Sequence, residues 1–112
     1  MRVMDSATDR AIKAFSLKVT HRHALAKLIL FGSRARGEAH PDSDADVAVV
    51  LGEEHGDFMQ TKLEMADMAF DVLLETGVLI QPLPIWEDEW SHPEAYANPR
   101  LLENIQREGI AL

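Results

Sequence analysis

Cysteine is absent from the 112 residues. That removes disulfides and thiolate metal ligands together, and makes an intracellular, cytoplasmic home the expectation. Long apolar runs are missing as well. No segment approaches the roughly 18 residues that a bilayer-spanning helix needs, so a transmembrane helix is excluded and no membrane partner is expected. The opening Met1-Arg2-Val3-Met4-Asp5 soon meets acids and has no apolar stretch resembling a secretory signal. Basic residues become scarce after Arg36: the last 76 residues hold three against seventeen acids, a balance of −14. Residues 1–36 carry the opposite balance, +6, from Arg2, Arg10, Lys13, Lys18, Arg22, Lys27, Arg34 and Arg36. A long DNA or RNA usually meets a basic face over much of its protein's surface, so a polymeric nucleic acid is disfavoured. A small anion held by the N-terminal third is compatible with this charge pattern.

The composition that is present is ordinary for a soluble globular chain, with 46% hydrophobic and 27% charged residues. At 12.5 kDa the expectation is one domain over residues 1–112. Ser6 and Asp9 have the form of a capping box, and Ala7, Ala11, Ile12, Phe15 and Val19 recur at helical spacing, predicting a helix over 6–21. Leu28-Ile29-Leu30-Phe31, ended by Gly32-Ser33, predicts a buried strand, and Asp46-Val47-Ala48-Val49-Val50-Leu51 a second. Between them lies a polar segment punctuated by Gly37 and Pro41. From Asp57 to Thr76, Phe58, Met59, Leu63, Ala66, Phe70, Leu73 and Leu74 trace one helical stripe that Gly77 is placed to end. Val78 to Ile85 reads as extended but carries Pro82 and Pro84. Their missing N–H groups allow pairing through one side alone, which makes it an edge strand. Glu87-Asp88-Glu89 and His92-Pro93 read as loop, and Pro99–Glu108 as a closing helix before Gly109. This order predicts an α/β or α+β sandwich with a small sheet.

The chemistry concentrates between the first two strands. Asp44 and Asp46 are two apart at a strand entrance, so they present their carboxylates on one face. Like charges that close repel unless a cation sits between them, and Mg²⁺ prefers such hard oxygen ligands. Ahead of them the chain turns at Gly32, whose bare backbone lets a phosphate approach, and Ser33 adds a hydroxyl and an N–H at the start of the turn. Arg34 and Arg36 lie within reach of the same phosphates, with either one free to point inward. A phosphate cradle beside paired metal carboxylates is apparatus for phosphoryl or nucleotidyl transfer.

Gly32-Ser33-Arg34-Ala35-Arg36-Gly37 through Ser43-Asp44-Ala45-Asp46-Val47 resembles the signature of the DNA polymerase β-like nucleotidyltransferase superfamily. It is most similar to the minimal nucleotidyltransferases, short members paired with a HEPN-domain protein. The motif covers residues 28–51 closely, and element order and length match over nearly the whole chain. The resemblance implies a nucleotidyltransferase fold, a small mixed sheet flanked by helices. It implies ATP as substrate and Mg²⁺ as cofactor, and an antitoxin role in which AMP is transferred to a tyrosine of a HEPN ribonuclease toxin. Gly32, Ser33, Arg34, Arg36 and Ser43 would contact the nucleotide, and Asp44 and Asp46 would be catalytic and hold Mg²⁺.

One departure stands out. The superfamily supplies a third carboxylate from a later strand, and the polar residue central to the equivalent strand here is Gln81. An amide can orient a ligand but brings neither a base nor a full charge. Either the register places another residue there, or the site has two carboxylates and is weak or silent. Asp71 is expected on the solvent side of its helix, while one of Glu87, Asp88 and Glu89 could reach back.

The chain has nothing left over for an acceptor-binding domain, so the acceptor is expected on another protein, or the chain pairs with a second copy. Trp86, Trp90 and Tyr96 are candidate interface anchors, Trp86 more plainly a cover for the core edge. Of five histidines, His21 and His23 are expected exposed, His40 lies in the phosphate loop, and none pairs with acids at zinc-site spacing. Three readings follow: an active nucleotidyltransferase that modifies its partner, a degenerate module that caps a HEPN partner without chemistry, and a transferase acting on a small hydroxylated molecule. The missing acceptor domain weighs against the third.

Overall fold

The computed structural model describes residues 6–32, 35 and 44–112. The elements are α1 (Ser6–Thr20), β1 (Leu25–Phe31), β2 (Ala45–Leu51), α2 (Phe58–Thr76), β3 (Ile80–Trp86), α3 (Glu87–Ser91), α4 (Pro99–Glu108) and β4 (Ile110–Ala111), with a 3₁₀ turn at Pro93–Ala95. One four-stranded sheet has the order β3-β2-β1-β4. Only β2 and β3 run parallel; the other pairs are antiparallel. No helix of the described residues is long and apolar enough to cross a membrane.

The valine-rich β2 pairs with β1 and β3, and both its faces are covered, which leaves no room for polar alternation. Val47, Val49 and Leu51 join Phe15 and Val19 of α1 and Met65 and Val72 of α2 in one core. Ala48 and Val50 face the other way, against Leu102 and Ile105 of α4. Trp86 is 1% exposed and closes the first core at its edge, as its position in the sequence predicts. Trp90 and Tyr96 are half-buried against the second core.

β3 is an edge strand, for the reason its prolines give. Ala45 N–H donates to the Leu79 carbonyl at 2.9 Å. By strand alternation Gln81, Leu83 and Ile85 then share the side turned to β2, and Pro82 and Pro84 turn their missing donors outward. At the opposite margin β4 pairs with β1 through Leu30 and Ile29. Gly109 makes that approach possible, since a Cβ there would run into the Ile105 carbonyl and the Ile29 side chain. Two residues carry no readable periodicity, so β4 is invisible in the sequence. The acids at 87–89, expected in a loop, open α3 instead. Negative side chains favour a helix N-terminus, and the Glu89 carboxylate accepts from the Trp86 N–H at 3.1 Å.

α2 has the ends its sequence predicts. Asp57 caps it, accepting from the Gln60 N–H at 2.8 Å, and Gly77 leaves it in the left-handed region at φ 80°. Its packing face differs from the stripe legible in the sequence. Thr61, Met65, Met68, Ala69 and Val72 are the buried residues, while Met59, Leu63, Phe70 and Leu74 point outward. The helix is apolar on two opposite sides, so periodicity alone cannot choose between them.

His23, expected at the surface, is half-buried. Its Nδ1 lies 2.9 Å from Glu53 Oε2, its Nε2 lies 3.7 Å from Glu64 Oε2, and Glu53 Oε1 accepts from the Ala24 N–H at 2.7 Å. The cluster ties the start of β1 to the β2–α2 connection and to α2. Burial alone would raise the Glu53 carboxyl, but the bonds from His23 and Ala24 outweigh it and hold the pKa below the usual 4.5. A carboxyl lowered on folding stabilises the fold above its unfolded pKa and loses that contribution as pH falls through the folded one. Stability is therefore expected to drop on acidification below about pH 4.5, and to drop less in Glu53→Gln, when urea midpoints are compared across pH.

Candidate active site

The site is assembled where β1 ends and the parallel pair β2–β3 begins. Antiparallel pairing sets Asp46 opposite Phe31, and parallel pairing sets it beside Gln81. Strand alternation puts Asp46 and Gln81 on the α4 side of the sheet, at the end where β1 stops and β2 and β3 begin. Asp46 is half-buried; Asp44 and Gln81 are exposed. The Gln81 Nε2 donates to Asp44 Oδ2 at 3.1 Å. One side chain thus touches the first aspartate and flanks the second, which brings all three to a single mouth. The register leaves the place next to Asp46 to Gln81 and to no other residue of β3.

Gly32 forms the corner above them. Its φ of 75° lies in the left-handed region, and a Cβ there would collide with the Asp46 carboxylate. Two independent constraints, backbone and contact, therefore require glycine at this point. The corner holds the end of β1 against the carboxylate with no side chain between.

The other acids are elsewhere. Glu87, Asp88 and Glu89 follow the far end of β3, about 17 Å of strand beyond Gln81. There Asp88 Oδ2 lies 3.3 Å from His55 Nδ1, and Glu89 is taken up by the Trp86 N–H. None reaches back to the site. Asp71 is exposed on α2, as its helical position predicts. Ser33, Arg34, Arg36, His40 and Ser43 lie outside the described residues. Among the described residues no group of three or more His, Asp or Glu side chains is arranged to hold a metal.

The sequence profile of the Nucleotidyltransferase domain family matches residues 12–111. The chain belongs to this family. A Methanocaldococcus jannaschii protein, provisionally named a protein adenylyltransferase, is 36% identical over 77 residues, covering 67% of this chain and 70% of that one. The bifunctional uridylyltransferase/uridylyl-removing enzyme of Burkholderia mallei is 31% identical over 93 residues, covering 82% of this chain. This chain spans 11% of that enzyme's length. A solved structure provisionally described as a minimal nucleotidyltransferase superposes with a TM-score of 0.60 at 32% identity, over 97% of each chain. A nucleotidyltransferase-like structure from Sulfolobus solfataricus shares the fold, with a TM-score of 0.52 and 18% identity over 96% of this chain and 86% of that one.

Members of a nucleotidyltransferase domain family act on nucleoside triphosphates, whose phosphates travel with a divalent cation. The donor set here suits one. Mg²⁺ is commonly bound by one or two carboxylates, with phosphate oxygens and waters completing the octahedron. Asp44 and Asp46 supply two hard anionic oxygens at one mouth, and the Gln81 amide, by donating to Asp44, offsets part of their repulsion. These two aspartates are the residues of the nucleotidyltransferase domain that would hold the ion, which would contribute charge neutralisation of the triphosphate. The position of Gln81 was legible from the resemblance, as the polar residue central to the later strand. Its bond to Asp44 was not.

Proposed function

We propose that this chain transfers a nucleotidyl group, AMP from Mg²⁺-bound ATP, to a hydroxyl of a partner protein. On this reading the acceptor is a HEPN-domain toxin, which the modification neutralises. The observation that carries the proposal is the cluster of Asp44, Asp46 and Gln81 at the strand mouth beneath the glycine corner. In the transfer an acceptor oxygen forms a bond to the α-phosphorus, the bond to the bridging oxygen breaks, and pyrophosphate leaves with that electron pair. The acceptor's proton passes to solvent or to a carboxylate of the pair. Asp44 and Asp46 place negative oxygens where the triphosphate's cation belongs, and Gly32 leaves the backbone bare beside them. The similarity to a chain named as a protein adenylyltransferase supports a protein acceptor.

A second reading rests on Gln81 itself. An amide standing beside Asp46, and bonded to Asp44, brings no base to the site. On that reading the domain caps its partner without chemistry. The two readings separate by mass spectrometry of the HEPN protein after incubation with the chain, ATP and Mg²⁺. A gain of one adenylyl group that requires both aspartates supports transfer. A tight complex with unaltered partner mass, formed equally well with chelator and without ATP, supports the cap.

A further inference from the structure

α2 packs on the sheet with one side and leaves a second apolar side without cover. At 100° per residue, Met59, Leu63, Ala66, Phe70 and Leu74 fall within a band about 80° wide. That band is centred opposite the buried Thr61, Met65, Met68 and Val72. The stripe is open to solvent: Met59 is 59%, Leu63 60%, Phe70 56% and Leu74 70% exposed. The spacing 59, 63, 66, 70 alternates four and three residues, the a/d pattern of a seam between two helices, and Leu74 extends the stripe one turn further. Scattered exposed leucines need no explanation, but a continuous stripe along about four turns marks an interaction surface.

Charge identifies the occupant. One border of the stripe is a row of acids, Asp67 and Asp71 nearest to it and Glu64 and Glu75 behind. Glu64 lies 3.9 Å from Arg22, and Glu75 lies 3.1 Å from Lys18. Asp67 and Asp71 line a hollow with Lys18, His21 and Arg22, but Lys18 and Arg22 are paired with Glu75 and Glu64, and neither aspartate has an ion pair among the described residues. The other border offers only Lys62, which lies over the Phe58 ring. A second copy pairing antiparallel about a two-fold axis would set acid row against acid row, a costly arrangement. A helix with its own apolar stripe and a row of lysines or arginines satisfies both the seam and the two unpaired aspartates.

We infer that the outward face of α2 docks a basic amphipathic helix of another protein, with Leu63 and Phe70 as central anchors and Asp67 and Asp71 setting its orientation. The inference uses no residue of the carboxylate site and stands whether or not transfer occurs.

The test uses the full chain and two labelled helical peptides as long as the 19-residue α2, alike in a leucine seam but bordered by lysine in one and glutamate in the other. By fluorescence anisotropy the lysine peptide is expected to bind about tenfold or more tightly than the glutamate peptide. Asp67→Lys/Asp71→Lys should reverse that order, and Leu63→Ala/Phe70→Ala should weaken both peptides about tenfold or more. These residues are exposed, so unchanged circular dichroism is expected alongside. Equal affinity for the two peptides, or no binding by either up to about 1 mM, overturns the inference. So does a dimer in sedimentation velocity that Phe70→Ala abolishes, which would seat a second copy on the stripe. Binding to phosphatidylcholine vesicles that is lost in Leu63→Ala/Phe70→Ala overturns it in favour of a lipid surface.

Discussion

Asp46→Asn is expected to lower nucleotidyl transfer about 10³-fold, the scale of losing several kcal/mol of charge neutralisation at the phosphates. The substitution keeps the shape of the side chain beneath Gly32 and removes its charge. The fold should survive it, because the cores on both faces of the sheet contain neither aspartate. Asp44→Asn should act in the same direction with a smaller loss, since the exposed Asp44 keeps a carboxamide oxygen for the Gln81 donor. The measurement is release of pyrophosphate with labelled transfer to the acceptor, read together with thermal unfolding. A variant that unfolds at the wild-type temperature and transfers at the wild-type rate would remove these residues from the mechanism.

Gln81→Glu is expected to raise transfer about tenfold to 100-fold. It puts a carboxylate beside Asp46, where general-base assistance is commonly worth 10²–10⁴ when geometry is ideal. Three carboxylates at one mouth repel, so the same variant should unfold at lower temperature in chelator. Added Mg²⁺ should raise its unfolding temperature more than that of the parent chain, because a ligand bound only by the folded state stabilises in proportion to its affinity. The paired readouts separate two failures. A gain in Mg²⁺-dependent stability without faster transfer means that the cation site forms and the acceptor's proton is not the limiting step. No change in either means that residue 81 does not face the ion.

How much of this was legible beforehand depended on whether one residue or a pattern carried the signal. The αβ order, the edge character of β3 and both ends of α2 were readable, because Pro82, Pro84, Asp57 and Gly77 each constrain the backbone by their own covalent structure or capping chemistry. The Gly-Ser and Asp-x-Asp spacing was readable too, since Asp44 and Asp46 lie two apart at a strand entrance. What escaped depended on contacts distant in sequence. α3 looked like a loop because its acids are polar; they are helix-favouring only where the first turn happens to begin. β4 exists because β1 offers it a partner. His23 is half-buried because Glu53 and Glu64 converge on it from two other elements. For α2, both faces are apolar, and the one that packs is identified only by its contacts with α1 and the sheet, which lie far away in sequence.

The two margins of the sheet have a consequence for how this molecule can associate. Along β3 the outward backbone lacks donors at Pro82 and Pro84, and along β1 the two residues of β4 occupy part of the opposite border. Among the described residues neither rim presents a run of free amides for an incoming chain to zip onto, so fibril growth and peptide capture by strand addition are both disfavoured. Companions of this fold must meet it broadside, through side chains rather than through the main chain.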